Sequence, residues 1–399
     1  MNPNISHLYS IAQKPQRIII GLMSGTSLDG LDVAICRFKG AGMDTKMELL
    51  RFETVPYTET VTNAVRQVFS KKQVNLEQLC LLNGWIGTEH GNMVNTCLQK
   101  WGIANTSVDI IASHGQTIYH APKRLHGLDM FGNGTLQIGD GDHIAVATGI
   151  ITLSDFRQKH IAAGGEGAPL AIYGDYFLFG KKGENRVMLN IGGIANFTWL
   201  PASGDISEVF STDIGPGNTL MDAYTREYFP GKLYDKDAAI ALQGKVNEPL
   251  LAALKKDDFF KQPFPKSTGP ELFSLAFIEQ AKQAAGIVAI SHYDMLATLI
   301  RFSADMIVDA LQSKAASGKT VKVYASGGGI HNPLLMNDIQ SQLPTFEFND
   351  FNELGINPDA KEAVLFALLA NEAIAGRNLN GKGTASMPMV SMGKISFPA

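Results

Sequence analysis

The chain has 399 residues, more than one compact core usually holds, and suits two lobes of ordinary domain size. With 45% hydrophobic and 18% charged residues it reads as a globular protein, not a disordered one. A net charge of -4 and a pI near 6.1 exclude a basic field for a nucleic-acid backbone or an anionic membrane.

Met1–Arg17 is polar, has no apolar signal core, and reads as a loose lead-in as far as residue 16. Arg17–Leu22 (RIIIGL) is a β-branched apolar run typical of a buried strand. It breaks at Gly21 into MSGTSLDG and resumes as Leu31–Phe38, so the pair reads as a β-hairpin. Met47–Tyr57 is a third strand. Thr58–Lys71 and Asn75–Trp101 read as helices, the second long and amphipathic. Val108–Ser113 is another buried strand, ending in HGQT.

The second half repeats this grammar. Arg186–Asn190 runs into IGGIAN and Asn196–Leu200 leaves it, again strand, glycine turn, strand. Glu208–Thr212 leads into DIGPGN, and Leu220–Tyr228 reads as a helix. A helix covers His292–Ser313, a strand Val321–Ala325 enters Ser326–Gly329, a helix starts near Asn332, and Asp359–Asn371 is a late helix. No apolar run reaches the length of a membrane span. Cys36, Cys80 and Cys97 lack CxxC spacing, which argues against a zinc site or disulfide framework and fits free thiols in the cytoplasm.

Many of the 40 glycines follow predicted strands. There a glycine permits positive φ, and successive backbone N–H groups can form a nest for phosphate oxygens. One such loop is equally well a plain hairpin turn; four at strand ends favour phosphate binding. In the first turn Ser24, Thr26 and Ser27 add hydroxyl donors, and Asp29 and Asp32 add carboxylates able to hold a hydrated Mg²⁺. Gly318-Lys319-Thr320 resembles the end of a P-loop but lacks the leading glycine, Ser313 standing there, and it precedes a strand. No GxGxxG follows a strand, and there is no GxSxG elbow.

A phosphate hairpin in each half, with a late GGG loop, resembles the actin-like ATPase superfamily of sugar kinases, Hsp70 and actin. That resemblance implies an α/β, two-lobed actin-like (ribonuclease H-like) fold, with a mixed sheet in each lobe and a central nucleotide cleft. Lobe I would be 1–150 plus about 382–399, and lobe II 151–381. Gly25–Asp32 and Asn190–Asn196 would clamp the phosphates, and Ser326–Gly329 would face the nucleoside.

The strings GLMSGTSLDGLD, SHGQT, IGDGD, DFR, GGEGAPL, NIGGIAN, DIGPGN, PKSTG and GGG-x-x-N fall in the order seen in anhydro-N-acetylmuramic acid kinase. The chain is similar to that family over nearly its whole length. The family opens the 1,6-anhydro ring of anhydro-N-acetylmuramic acid with water and phosphorylates O6 from ATP, in peptidoglycan recycling. The resemblance therefore implies ATP, Mg²⁺ and an amino sugar as the small molecules bound. A homodimer is left open.

Carried onto this sequence, the resemblance makes Asp213 the general base. Its residue-level alternative is a helix cap or Mg²⁺ ligand. It places ATP and its phosphates on Gly25, Thr26, Ser27, Leu28, Asp29, Gly30, Leu31, Asp32, Asn190, Gly192, Gly193, Gly215, Gly217, Asn218, Gly327, Gly328 and Gly329. Asp29 would reach the metal through water, although Asp29 and Asp32 are not separable by sequence. His114, Asp155, Arg157, Gly165 and Glu362 would face the sugar. Alternation sets Asp155 and Arg157 on one side of an extended segment, where the arginine can grip the lactyl carboxylate bidentately or merely pair with the aspartate. Gly164–Leu170 would offer backbone N–H groups before a helix near Pro169. Glu362 doubles as a helix N-terminal carboxylate. His114, His120 and His126 do not share a face, so His114 reads as a substrate contact or a satisfied turn histidine, not a metal ligand. The competing functions are another actin-like sugar kinase without ring hydrolysis, and a nucleotide switch that binds a protein partner.

Overall fold

A computed structural model describes residues 1–269, 271–314, 320–376, 383–384 and 387–399. Gly318 and Lys319 of the P-loop-like string lie outside the described residues, and Thr320 leads into the strand Val321–Ser326. Contacts divide the chain into Met1–Phe179 with Gly355–Ala399, and Gly180–Leu354. The fold is mixed α/β, with one mixed sheet in each unit.

In the first unit the strands are β1 (Gln16–Ser24), β2 (Gly30–Lys39), β3 (Lys46–Pro56), β4 (Ile110–Ala121), β5 (Gly134–Ile138), β6 (Thr152–Ser154) and β12 (Lys394–Ser396). Their order is β12-β6-β4-β1-β2-β3, with β5 on β4. The pairs β1/β4 and β4/β6 are parallel, while β1/β2, β2/β3, β4/β5 and β6/β12 are antiparallel. Ile19, Ile20 and Leu22 are fully buried because helices cover both faces of β1. Val94, Cys97 and Leu98 of the helix Leu76–Trp101 share a core with Ile20 and Leu22. On the other face the helix Lys361–Ala375 comes so close that a Cβ on Gly21 would lie 1.8 Å from the carbonyl oxygen of Ala363.

In the second unit β7 (Asn185–Ile191), β8 (Ile194–Leu200), β9 (Phe210–Pro216), β10 (Val321–Ser326) and β11 (Phe346–Asp350) are ordered β11-β10-β7-β8-β9. Here β10 runs parallel to β7 and β11, while β7/β8 and β8/β9 are antiparallel. The helix His292–Gln312 is buried along most of its length against Val187, Leu189 and Phe197.

Three expectations are corrected. Residues 1–16 are not a loose lead-in: Pro3–Gln13 is a helix, capped by the Asn2 side chain at the Asn4 N–H and anchored by buried Ile11. The unit boundaries fall at 179/180 and 354/355, not near 150 and 382. Thr152–Ser154 is a strand of the first sheet, and the helix Lys361–Ala375 packs on β1. Asp155 and Arg157 do not lie on an extended segment. Asp155 takes a left-handed φ of 58°, and Arg157 sits in the helix Phe156–Ala162.

Candidate active site

The first glycine turn is closed by the pairing of Ser24 with Leu31, leaving Gly25–Asp29 as its tip. Thr26, Ser27 and Asp29 are exposed, whereas Leu28 turns inward at a φ of 58° and packs with Val61 and Ile86. Leu31 is fully buried, so it and Leu28 can offer a ligand only their backbone. A buried polar chain supports the turn. Tyr57 donates to Ser24 Oγ at 2.7 Å, and its hydroxyl lies 2.8 Å from His90 Nε2. Ser24 in turn donates to Gln116, whose Nε2 reaches the Gly25 carbonyl at 3.3 Å. Each hydroxyl has one proton, so donation runs from His90 through Tyr57 and Ser24 to Gln116. Burial pushes the His90 ring down to about 4, keeping it neutral.

The two aspartates of this turn differ. Ser27 Oγ donates to Asp29 Oδ1 at 2.6 Å and holds this exposed carboxyl below the usual range. Asp32 is partly buried, and desolvation raises it despite a 2.5 Å hydrogen bond from Thr54 Oγ1; Asp29 and Asp359 add like charge.

The sugar-side residues partly converge in the same unit. Arg157 donates from Nε to His114 Nε2 at 3.0 Å and from Nη1 to the Gly167 carbonyl at 2.7 Å. Burial pushes Arg157 down to about 10, with Glu362 as its opposing charge, and pushes His114 down to about 3. Burial also raises Glu362, which feels Arg157 and Asp32. His114, Arg157, Glu362 and Asp32 thus form one electrostatically linked group. Asp155 pairs instead with Lys394 and lines a cavity of about 400 Å³ with His114, Asp140 and Ser396. Gly165 is required by packing: a Cβ there would lie 2.1 Å from the His160 ring. The expected row of anion-binding amides is not found around it. Gly164, Gly165 and Gly167 donate to Ile161, the His160 carbonyl and His160 Nδ1, and the following helix is only Ala171–Gly174.

In the second unit β7 and β8 pair from Asn190/Asn196 to Ile191/Ala195, leaving Gly192-Gly193 as the turn. The DIGPGN segment locks against it. Gly217 and Asn218 donate to the carbonyls of Gly193 and Gly192, each at 2.8 Å, and a Cβ on Gly217 would strike the Gly192 carbonyl at 2.3 Å. The GGG loop closes from the other side. Gly327 has a φ of 87°, and a Cβ there would lie 2.7 Å from Asn190 Oδ1 and the Ile191 carbonyl. Asn218, Asp222, Lys236, Gly328 and His331 line a cavity of about 490 Å³ beside these loops.

Asp213 stands in the middle of β9 opposite Asn196. Its N–H donates to the Lys266 carbonyl at 2.9 Å, and its Oδ2 accepts the Thr268 N–H at 2.8 Å. The helix-cap alternative fails, because the helix Thr219–Tyr228 is preceded by Asn218 and has no side-chain cap bond. Residues that sequence reasoning left unassigned are Tyr57, Gln116, Asp222, His331, Lys266 and Thr268. Of these, Gln116 lies in SHGQT, Lys266 and Thr268 in PKSTG, and His331 in GGG-x-x-N, whereas Tyr57 and Asp222 lie outside the quoted strings.

Comparison with known proteins covers the chain end to end. A family profile described as anhydro-N-acetylmuramic acid kinase matches residues 17–398. The anhydro-N-acetylmuramic acid kinase of Pseudoalteromonas atlantica is 56% identical over 400 residues, 100% of both chains. That of Caldanaerobacter subterraneus subsp. tengcongensis is 41% identical over 98% of this chain and 100% of its own. Among solved structures, hexokinase from Schistosoma mansoni aligns over 90% of this chain and 86% of its own at 9% identity and a TM-score of 0.34, a likeness on which nothing is rested. On the profile and the full-length identities, the chain belongs to the anhydro-N-acetylmuramic acid kinase family and is a phosphotransferase.

Proposed function

We propose that this enzyme adds water across the 1,6-anhydro bridge of anhydro-N-acetylmuramic acid and phosphorylates O6, giving N-acetylmuramic acid 6-phosphate and ADP, as a step of peptidoglycan recycling in the cytoplasm. The observation that carries the reading is the Asp213 carboxylate on β9, fixed through Oδ2 by the Thr268 N–H, in a chain that matches the family throughout. Asp213 takes a proton from water as the water oxygen bonds to the anomeric carbon. The bond from that carbon to O6 breaks, and O6 accepts the γ-phosphoryl group. ATP supplies that group when bound.

The backbone amides and hydroxyls of Gly25–Asp29 and the turn Gly192-Gly193 are the phosphate donors, the Gly217 and Asn218 amides bracing the second turn through the Gly193 and Gly192 carbonyls, and the cavity beside Gly328 suits the nucleoside. Among the described residues no three His, Cys, Asp or Glu side chains converge on a metal site. Asp29, exposed and readily ionised, fits a Mg²⁺ ion that keeps most of its water and its phosphate ligands, and would hold it through one such water. His114, Arg157 and Glu362 serve the sugar. Arg157 spends its Nε hydrogen on His114 and one Nη1 hydrogen on the Gly167 carbonyl, which leaves the other Nη1 hydrogen and both Nη2 hydrogens to address the lactyl carboxylate. Gly165 and Asp155 support this group through His160 packing and the Lys394 pair.

Turnover in ¹⁸O-labelled water tests the reading. Label is expected in the anomeric hydroxyl of the product. Phosphorylated product without that label means a sugar kinase that performs no ring hydrolysis.

A further inference from the structure

Lys266 is only 9% exposed, an unusual burial for a lysine. Among the described residues its ammonium meets no carboxylate. It lies 4.3 Å from the ring centre of Phe259, 5.2 Å from that of Phe264 and 5.7 Å from that of Phe260. It donates to the Phe259 carbonyl at 2.9 Å and approaches that of Phe260 at 3.4 Å. Cation–π attraction and carbonyl hydrogen bonds therefore replace water around this charge. Desolvation lowers the ammonium's hold on its proton.

The backbone of the same residue is stitched to β9. Lys266 N–H donates to Thr212 Oγ1 at 2.9 Å, and its carbonyl accepts from the Asp213 N–H at 2.9 Å and from Thr212 Oγ1 at 3.1 Å. Two residues on, the Thr268 N–H reaches Asp213 Oδ2. The aromatic cage also backs the segment beyond Asp213: a Cβ on Gly215 would lie 2.9 Å from Phe260.

We infer that Lys266 is a positioning residue for Asp213: its buried ammonium ties the segment 264–268 to the Phe259, Phe260 and Phe264 cage, and that segment sets the place of the Asp213 carboxylate. The inference rests on the reading of Asp213 as general base. A carboxylate displaced by a fraction of an ångström still binds nothing less tightly, but it transfers the proton poorly.

The test compares Lys266→Met, Thr212→Val, Asp213→Asn and the double variant Lys266→Met/Asp213→Asn, with kcat counted per nucleotide-binding site. Lys266→Met is expected to lower kcat by about tenfold or more while KM for ATP and sugar stay within about twofold, and Thr212→Val to move kcat in the same direction. The double variant is expected to lose no more than Asp213→Asn alone, because a residue acting through Asp213 has nothing left to position. An additional loss of about tenfold in the double variant overturns the inference. So does wild-type kcat in Lys266→Met, or in Thr212→Val where Lys266→Met does not fold. If Asp213→Asn itself keeps full turnover, the base assignment fails first and the inference falls with it. Loss in Asp213→Asn beside full activity in the other two overturns the inference alone.

Discussion

Arg157 donates its Nε–H to Nε2 of His114 across 3.0 Å, so a partly buried arginine holds a buried histidine as an acceptor. The ring must then be neutral, with its proton on Nδ1. Burial, aided by the Arg157 charge, pushes His114 down to about 3 from the ordinary 6.5. In the unfolded chain the ring takes a proton near 6.5. Between those values the unfolded state binds more protons, so this group's contribution is whole above about pH 6.5 and is lost as pH falls towards 3. His90, held to about 4 by burial, acts in the same direction. Urea-unfolding free energies measured from pH 7 to pH 4 are expected to fall for the wild type and to fall less steeply for His114→Gln. Equal slopes would show that His114 is not neutral in the fold.

Asp29 and Asp32, inseparable in sequence, separate in structure. The exposed Asp29 accepts from Ser27 and stays ionised, while Asp32 is half-buried, raised by desolvation and tied to Thr54. Asp29→Asn is expected to raise the Mg²⁺ concentration for half-maximal turnover by about tenfold, the loss usual for a group that acts on a metal through water. Asp32→Asn is expected to leave that midpoint in place. A Mg²⁺ titration of both variants checks this, and a shift in Asp32→Asn alone would reverse the assignment.

Gly21 is set by close approach, not by backbone conformation. Its missing Cβ would lie 1.8 Å from the Ala363 carbonyl oxygen and 3.1 Å from the Ala367 amide, both helix backbone that cannot swing aside. Gly21→Ala is expected to cost about 1–3 kcal/mol or more, seen as a lower thermal midpoint. Gly132, with nothing within 4 Å of its Cβ position, is the control, and Gly132→Ala is expected to melt with the wild type.

What sequence made legible was local. RIIIGL and VKVYA are apolar because helices or neighbouring strands bury them, and the glycine turns announce themselves between such runs. What it hid depends on distant partners. The helix Pro3–Gln13 buries only Ile11 and finds a partner for Asn4 at Pro398. Thr152–Ser154 is too short to read as a strand until Lys394–Ser396 pairs with it. The reversal at Asp155 breaks an apparent alternation with a left-handed residue that no composition rule marks. Lys266 falls within the PKSTG string, but nothing in that string marks it as buried. The cage of Phe259, Phe260 and Phe264 around it forms only in the fold.

The base assignment makes the sharpest prediction. Asp213→Asn keeps the side-chain size and an oxygen able to accept the Thr268 N–H, so the stitch between β9 and the segment 264–268 is expected to survive with the fold. The phosphate turns at Gly25–Asp29 and Gly192-Gly193 do not use the Asp213 side chain in any hydrogen bond described above, so nucleotide affinity is expected to stay near wild type. The amide cannot take a proton from water, and turnover is expected to fall by about 10²–10⁴-fold, the usual share of a general base. Nucleotide binding by calorimetry alongside steady-state turnover separates the two effects. Turnover within a few-fold of wild type would remove Asp213 from the proton transfer; lost nucleotide binding would place it among the phosphate contacts instead.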